Sequence, residues 1–348
     1  MQLKISDLFA TPDHFLFAFE GEHSLFLEMD RAAYQRSIFL DRRIVPLSER
    51  MLQVPTAQLT AYRDQAAPTP RIGWIFHVAH CGSTMLARAL DVAASDLVLR
   101  EPMVTRQLGV EAATGFPGRT PDGSWLARLR LAITMLGRRY GAGPVIVKAN
   151  VPVNFIVPQL LAMDPAAPAL FLYFPLDQYL MAILRTPNHV KWVESITAEL
   201  RPALEAELGS LGGLDAPRLA AALWLAQMRI YARALDLCPQ ARSLHAEGLF
   251  DTPRPVLEAA FRYFGLPSGA VDIDALVKGP LFSTYSKNPQ VAFDNDKRRE
   301  RQENLKREMA RELEAARRWV MQRLDRHPLP ARLPAPLAGE SPELLMRA

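Results

Sequence analysis

Gly82, Ser83 and Thr84 are the residues of this chain whose types and spacing best suit chemistry on an anion. They lie between an apolar run that begins at Trp74 and an Ala/Leu/Arg-rich run that ends at Leu90. The first run predicts a strand buried on both faces, and the second predicts a helix packed on the same sheet. The glycine permits a close turn, and the hydroxyl side chains can cap the helix, whose first N–H groups attract negative charge. The sequence therefore predicts a phosphate or sulfate site at this turn.

This turn lacks the lysine of a Walker A loop. The motif G-x-x-x-x-G-K-[ST] requires a lysine before its hydroxyl residue, whereas this chain has Gly82-Ser83-Thr84. ATP and GTP are therefore disfavoured as ligands. The alternative interpretation is a helix that is merely capped by serine and threonine after a parallel strand.

The order of strand, Ser/Gly/Thr-rich turn and helix resembles the 5′-phosphosulfate loop of sulfotransferases that use 3′-phosphoadenosine-5′-phosphosulfate (PAPS). It is most similar to the loop of bacterial sulfotransferase-like proteins. The resemblance implies that the backbone of Cys81 and Gly82 and the hydroxyl groups of Ser83 and Thr84 hold the 5′-phosphosulfate. His80 occupies the place of a lysine in the cytosolic members, and histidine is cationic for only part of the time near neutral pH. PAPS is thus the implied co-substrate, and no metal is expected.

Later segments continue the resemblance in the same order, over residues of about 70 to 290. Arg100-Glu101-Pro102 ends a predicted strand as in many bacterial and Golgi-type relatives, and Lys148 ends the next strand. A fourth strand begins at Ala169, and a late Glu-x-Leu…Pro…Phe-Gly-Leu-Pro element spans 247–267. The resemblance implies an α/β fold of P-loop type with three layers, in which helices flank a central parallel sheet.

The 3′-phosphate of such a nucleotide would need a changed set of contacts here. Relatives grip it with an arginine and a serine, whose places hold Tyr173 and Met181 in this chain. Arg185, one turn further along the predicted helix, could substitute for them. The cytosolic enzymes also bind the 3′-phosphate with a late basic loop. The resemblance implies a second set of 3′-phosphate contacts here, from Ser286, Lys287 and Arg298.

Sulfuryl transfer needs cations at the transferring oxygens and a base at the acceptor hydroxyl. We assign Glu101 as that base, and Lys148 and His80 as the groups that neutralise the developing charge. Arg100 or Lys148 would orient the Glu101 carboxylate. The alternative for Glu101 is an ion pair with an arginine that only ties strand to helix. Asn150 stands where the cytosolic enzymes carry their catalytic histidine, and an amide cannot act as the base.

Other titratable residues near these motifs are weaker candidates. His77 lies within the first strand and is predicted to be a hydrogen-bonded core residue. His189 and His245 are reserve candidates for the base. Cys81 at a helix start has the position of a nucleophile, but no cysteine-enzyme motif surrounds it, so we favour a role in shaping the backbone.

Composition narrows the function classes. The chain has 348 residues with a formal net charge of +4, which suits one large α/β domain with additions. The basic run 297–301 suits an anionic nucleotide better than duplex DNA, so no nucleic-acid partner is expected. Two cysteines are too few for a disulfide framework or a cysteine-based zinc site, and no apolar run approaches the roughly 20 residues that span a bilayer. We expect a cytoplasmic protein with no transmembrane segment, and a homodimer is compatible with these features.

The chain divides into four predicted parts. They are an N-terminal extension with a hairpin and a helix (1–66), the sulfotransferase-like domain (67–293), a long charged helix (294–327) and a proline-rich tail (328–348) that is extended or disordered. The hairpin is predicted between residues 15 and 29, and the helix of the extension over 31–37. Further helices are predicted over 124–140, 178–185, 190–208 and 217–237.

Three functions stay open at this point. The first is a sulfotransferase that acts on a hydroxyl or amine of a small molecule or sugar. The second is a P-loop phosphotransferase or nucleotide hydrolase, which the missing lysine disfavours. The third is a degenerate homologue that binds a nucleotide or a partner without chemistry, which Tyr173 and Met181 favour. An acceptor pocket is expected to have apolar walls that include Trp125, Trp192 and Trp224.

Overall fold

The computed structural model describes residues 3–65, 71–92, 96–267, 271–285 and 288–345. Its strands are β1 (His14–Glu20), β2 (His23–Glu28), β3 (Ser48–Pro55), β4 (Ile72–His77), β5 (Leu97–Arg100), β6 (Val145–Lys148), β7 (Ala169–Tyr173), β8 (Ala241–His245), β9 (Thr284–Tyr285) and β10 (Asn288–Ala292). Its helices are α1 (Ile5–Ala10), α2 (Arg31–Arg36), α3 (Thr56–Arg63), α4 (Ser83–Ala89), α5 (Met103–Gly115), α6 (Gly123–Leu136), α7 (Val157–Met163), α8 (Leu176–Ile183), α9 (Pro187–Glu199), α10 (Arg201–Leu208), α11 (Ala216–Leu237), α12 (Glu247–Asp251), α13 (Pro253–Phe264), α14 (Ile273–Lys278), α15 (Pro280–Ser283), α16 (Asn295–Glu308) and α17 (Ala310–Met321). A 3-10 helix at Val151–Ile156 leads into α7. None of the described helices is both long and apolar enough to cross a membrane.

A five-stranded parallel sheet forms the centre of the fold, with the strand order β5-β6-β4-β7-β8. Every residue of β4, β5, β6 and β7 is buried, as expected for strands that are covered on both faces. These strands alternate with helices along the chain, which is the pattern of an α/β fold with helical crossovers. The predicted α/β architecture with a central parallel sheet is confirmed.

Strand β4 lies in the middle of this sheet, where the strand order reverses. It pairs on one side with β6, with Ile75 opposite Lys148, and on the other side with β7, with Phe76 opposite Phe171. Because all five strands run parallel, their carboxyl ends meet at one edge. In open α/β sheets, ligands bind in the crevice at such a reversal, so this edge is the place to look for a site.

The N-terminal extension is an antiparallel sheet of β1, β2 and β3, followed by α3. Strands β1 and β2 form the hairpin predicted between residues 15 and 29. Helix α2 (Arg31–Arg36) lies where a helix is predicted over 31–37. Gln107 of α5 fixes this sheet to the domain, because its side-chain amide donates to the Phe19 carbonyl and accepts from the Phe19 N–H, both at 2.8 Å. The amide thereby takes the place of a neighbouring strand beside β1.

Arg100 joins the extension to the parallel sheet. It ends β5 and is 1% exposed. Its guanidinium donates to the Asp91 carboxylate at 2.7 Å and to the carbonyls of Tyr34, Gln35 and Ser37 at the end of α2. Of the two residues expected to orient Glu101, Lys148 is thus the one that contacts its carboxylate among the described residues.

Two predicted helices are each divided in the structure. The span 190–208 forms α9 and α10, because Pro202 in the first turn of α10 has no N–H to continue the ladder. The span 294–326 forms α16 and α17, which meet at Met309. Helix α17 buries one face against α11, whereas no residue of α16 is buried. The two helices therefore pack on the domain to different extents.

The proline-rich tail is extended and lies against β8. The Ser243 N–H donates to the Ala335 carbonyl at 3.0 Å, and the Leu337 N–H donates to the Ser243 carbonyl at 2.8 Å. Leu333 and Leu344 are each 1% exposed. The tail therefore covers the outer edge of the sheet, which would otherwise present unpaired backbone groups.

We predict that Arg100→Met destabilises the protein strongly. The substitution keeps an apolar stem but leaves three buried backbone carbonyls without their cationic donor and Asp91 with Arg31 as its remaining ion-pair partner, so the free energy of unfolding should fall by about 3–5 kcal/mol. Urea denaturation followed by circular dichroism measures this. Arg71→Met, which removes an exposed pair with Asp164, is the matched control and should change stability by less than about 1 kcal/mol. Equal effects of the two substitutions would contradict the role given to Arg100.

Candidate functional site

The loop between β4 and α4 turns at two positions with left-handed backbone. His80 has φ 61° and Gly82 has φ 81°. A Cβ atom at Gly82 would lie 2.8 Å from the ring of Phe250, so the position admits only glycine without movement of that ring. Left-handed backbone is uncommon for a residue other than glycine, and such strain collects at functional sites. We call residues 78–84 the anion loop.

The two hydroxyl residues of the anion loop begin α4 and are buried. Ser83 is 5% exposed and Thr84 is 2% exposed. The Thr84 Oγ1 has no hydrogen-bond partner among the described residues, although buried hydroxyls nearly always have one. Cys81 is fully buried, and its Sγ donates to the Leu172 carbonyl over 3.9 Å. The thiol thus contacts the sheet, and Thr84 offers an unused hydroxyl at the loop.

A pocket of about 780 Å³ lies in front of the anion loop. The loop itself forms one wall, helix α8 and Arg185 form a second, and the first turns of α16 form a third. Lys297, Arg298 and Arg301 of α16 line it together with Arg185, so four cationic side chains border the same pocket as Thr84. The pocket is therefore suited to a ligand that carries more than one negative group.

Arg298 is tied to the acidic side chains of α12. It forms an ion pair with Glu247, its Nη2 lies 3.6 Å from Asp251 Oδ1, and its Cζ lies 4.4 Å from the centre of the Phe250 ring. Only 14% of its side chain is exposed. Arg298 thus fastens α16 beside the anion loop, and Glu247 balances most of its charge.

The other cations of α16 are more accessible. Lys297 is 82% exposed, with its Nζ 4.0 Å from Asp294, and Arg301 lies one turn further along the same face. Ser286 and Lys287, which are predicted with Arg298 to contact the 3′-phosphate, lie outside the described residues. The pocket's accessible positive charge on this side therefore comes from Lys297 and Arg301.

A second cluster lies at the carboxyl ends of β5 and β6, where Glu101 and Lys148 form an ion pair. Lys148 is fully buried, and 16% of the Glu101 side chain is exposed. Arg100 and Lys148 are register partners, so their side chains share one face of the sheet, and the residue after Arg100 would ordinarily face the other way. Glu101 has φ 56°, and this left-handed backbone turns its carboxylate back toward Lys148.

His77 connects this pair with the anion loop. Its ring nitrogens lie 2.8 Å from the carbonyl oxygens of Val78 and Ala149, and its Nε2 lies 3.8 Å from the Glu101 carboxylate. It is 5% exposed, so it is the buried, hydrogen-bonded histidine that its place in the strand predicts. Because His77 directly precedes the anion loop, the Glu101 carboxylate lies beside the start of that loop.

The three other candidate histidines, His80, His189 and His245, lie at two different places. The rings of His80 and His189 meet edge to face with 4.4 Å between their centres, and both residues line the pocket. His245 instead lies with its Nε2 2.9 Å from the Gln178 side-chain oxygen, and burial lowers its pKa. Of the two reserve candidates for the base, His189 therefore lines the pocket, and His245 is held beside α8.

Two of the three tryptophans expected in an acceptor pocket are core residues. Trp125 and Trp224 are fully buried, and their indole N–H groups donate to the carbonyls of Leu108 and Phe174. The expectation that they line an acceptor pocket is wrong, because the helices that carry them turn these side chains into the interior. The ring of Trp192 lies near the site, 6.2 Å from the ring of His80.

Tyr173 and Met181, which stand where the sulfotransferase pattern has an arginine and a serine, bring no charge to the pocket. Tyr173 is fully buried, and Met181 is a pocket wall. Sequence reasoning missed Lys297 and Arg301 as individual pocket residues, although basic residues four apart on a helix share a face. The sequence did not indicate which surface that face would meet.

The solved structures that this chain is similar to include two sulfotransferases. One is a sulfotransferase from Alicyclobacillus acidocaldarius, with 18% sequence identity and a TM-score of 0.41, over 72% of this chain and 96% of that one. The other is the sulfotransferase domain of the curacin biosynthetic pathway, with 12% identity and a TM-score of 0.38, over 66% of this chain and 86% of that one. No protein-family profile and no curated protein matches the sequence.

We predict that Gly82→Ala destabilises the protein more than Gly21→Ala does. Both glycines have positive φ, which costs any other residue roughly 1–2 kcal/mol. A Cβ at Gly21 has open space around it, whereas one at Gly82 would meet the Phe250 ring, so the two costs differ by the steric term. Urea denaturation of both variants measures the difference. Equal costs would show that Phe250 does not constrain the anion loop.

Proposed function

We propose that this chain binds PAPS in the pocket and transfers its sulfuryl group in line to a hydroxyl or amine of a small-molecule or sugar acceptor. The observation that carries the proposal is the buried Thr84 hydroxyl, which has no partner among the described residues and lines a pocket rimmed by cations. A polar atom buried in this way costs free energy unless a ligand or water satisfies it. The anionic end of a phosphosulfate supplies such an acceptor.

The donor set of the pocket fits the chemistry of this co-substrate. The anion loop and the cations of α16 line the same pocket, and a nucleotide with negative groups at two positions would use both. A volume of about 780 Å³ lies within the usual range of ligand pockets. Lys297 and Arg301, with Arg185, would supply the anion contacts that relatives obtain from the arginine and serine replaced here by Tyr173 and Met181.

Glu101, Lys148 and His80 would serve the chemical step. In the transfer, the bond between sulfur and the bridging phosphate oxygen breaks, a bond from sulfur to the acceptor atom forms, and the acceptor proton passes to a base. Glu101 would take that proton. The Lys148 ammonium would hold the carboxylate in place, and it would stabilise negative charge as the transfer proceeds, with His80 assisting from the loop. No metal enters this proposal.

The second candidate is a homologue that binds a nucleotide without turning it over. The observation in its favour is that Tyr173 and Met181 lack the charge and the hydroxyl of the arginine and serine found at these places in relatives. Binding and turnover separate the two, because only the first function releases 3′-phosphoadenosine-5′-phosphate (PAP) from PAPS. A phosphotransferase would instead bind ATP with magnesium.

We predict that PAP binds to the protein without magnesium, and that binding depends on the α16 cations. Lys297→Ala and Arg301→Ala should each weaken it by about five- to fifty-fold, since each removes a charge-assisted contact. Isothermal titration calorimetry with PAP, beside ATP and magnesium, measures this. Lys306→Ala removes the same charge from the same helix away from the pocket, and should leave the affinity unchanged. Absence of PAP binding by the unaltered chain would overturn the proposed function.

We predict that Glu101→Gln lowers kcat by about a hundred- to ten-thousand-fold without loss of PAP affinity, because an amide cannot accept the acceptor proton. PAP release from PAPS in the presence of a panel of phenols, alcohols, sugars and amines measures kcat. Glu199→Gln is the control, since it neutralises another ion-paired carboxylate that contacts Arg106. A Glu101→Gln variant with normal turnover would exclude Glu101 as the base and leave His189 as the next candidate.

A further inference from the structure

The segment 37–43 of the N-terminal extension is docked directly on the end of β5. The Leu40 N–H donates to the Arg100 carbonyl at 2.7 Å, and the Met103 N–H donates to the Leu40 carbonyl at 2.9 Å. These two bonds bracket Glu101, whose own N–H donates to the Lys148 carbonyl at 2.7 Å. The left-handed backbone at Glu101 is therefore held from both sides by neighbours that cannot shift independently.

Phe39 of this segment lies against the Lys148 ammonium. The Lys148 Nζ is 5.6 Å from the centre of the Phe39 ring, and Phe39 itself is 4% exposed. A fully buried ammonium requires compensation beyond a single carboxylate, because its loss of hydration costs several kcal/mol. The electron-rich face of an aromatic ring supplies such compensation, and an aliphatic side chain of similar size does not.

A second cation, the Arg43 guanidinium, lies over the same ring. The Arg43 Cζ is 3.9 Å from the ring centre, and the Arg43 Nε donates to Asp41 at 2.9 Å. The pKa of Arg43 is raised, first by its hydrogen bond to Asp41 and to a smaller extent by the Glu101 carboxylate. Arg43 is thus within electrostatic reach of the proposed base, and the segment 37–43 forms part of the surroundings of Glu101.

We propose that Phe39 is a positioning residue for sulfuryl transfer, and that its ring holds the Lys148 ammonium against the Glu101 carboxylate. The proposal rests on the proposed function for its kinetic consequence. It makes the N-terminal extension a part of the reaction site, joined to the sheet by the Leu40 bonds and by Arg100. Apolar packing alone would not require an aromatic residue at this position.

Phe39→Leu and Phe39→Trp test the proposal, because the first keeps an apolar side chain without a π face and the second keeps the face. In the PAP-release reaction with the best acceptor of the panel, Phe39→Leu should lower kcat by about five- to thirty-fold and leave the KM for PAPS unchanged. Phe39→Trp should retain most of the activity. Phe26→Leu makes the same change at another buried phenylalanine of the extension, and should leave kcat unaltered.

A readout without turnover separates this inference from the proposed function. Acetylation of Lys148 by acetic anhydride, followed by mass spectrometry, should be slow in the unaltered chain and in Phe39→Trp, and several-fold faster in Phe39→Leu. Equal labelling and equal kcat in all variants would overturn the inference. Failure of PAP to bind would overturn the proposed function alone, since the labelling would still report whether Phe39 holds Lys148.

Discussion

Two buried cations at neighbouring strand ends constrain the rest of this structure. Arg100 and Lys148 are register partners in β5 and β6, and they are 1% and 0% exposed. Like charges on one face of a sheet repel strongly in a medium of low dielectric, so each must have its own anionic or carbonyl partners. Arg100 has Asp91 and the end of α2, and Lys148 has Glu101.

These requirements explain why the N-terminal extension packs where it does. The carbonyls at the end of α2 are needed by Arg100, and the segment that follows them delivers Phe39 to Lys148. The extension is therefore not an independent addition to the sheet, because it completes the electrostatic surroundings of β5 and β6. The left-handed backbone of Glu101 belongs to the same arrangement, since it allows the carboxylate to reach the ammonium.

The pocket beside the anion loop depends on a different balance of charge. Helix α16 buries no residue, and it is held next to the loop through Arg298, which pairs with Glu247 of α12. Arg298 and Arg299 pair with carboxylates of α12 and so attach the helix, whereas Lys297 and Arg301 line the pocket. The attachment of α16 and the cationic lining of the pocket thus lie in the same helix turns, so the position of these cations depends on the α12 contact.

The sequence by itself determined four strands of the central sheet (β4, β5, β6 and β7), the turn at Gly82-Ser83-Thr84 and the burial of His77, because uninterrupted apolar runs and hydroxyl-capped glycine turns are local signals. It also predicted Glu101 and Lys148 as candidates from their places at strand ends. Only the tertiary structure decided that Glu101 pairs with Lys148 while Arg100 serves α2, that Trp125 and Trp224 are core residues, and that Lys297 and Arg301 face the loop. Those outcomes depend on contacts between segments that are far apart in the chain. Helical or strand periodicity predicts the face on which a residue lies, but it does not predict which element packs against that face.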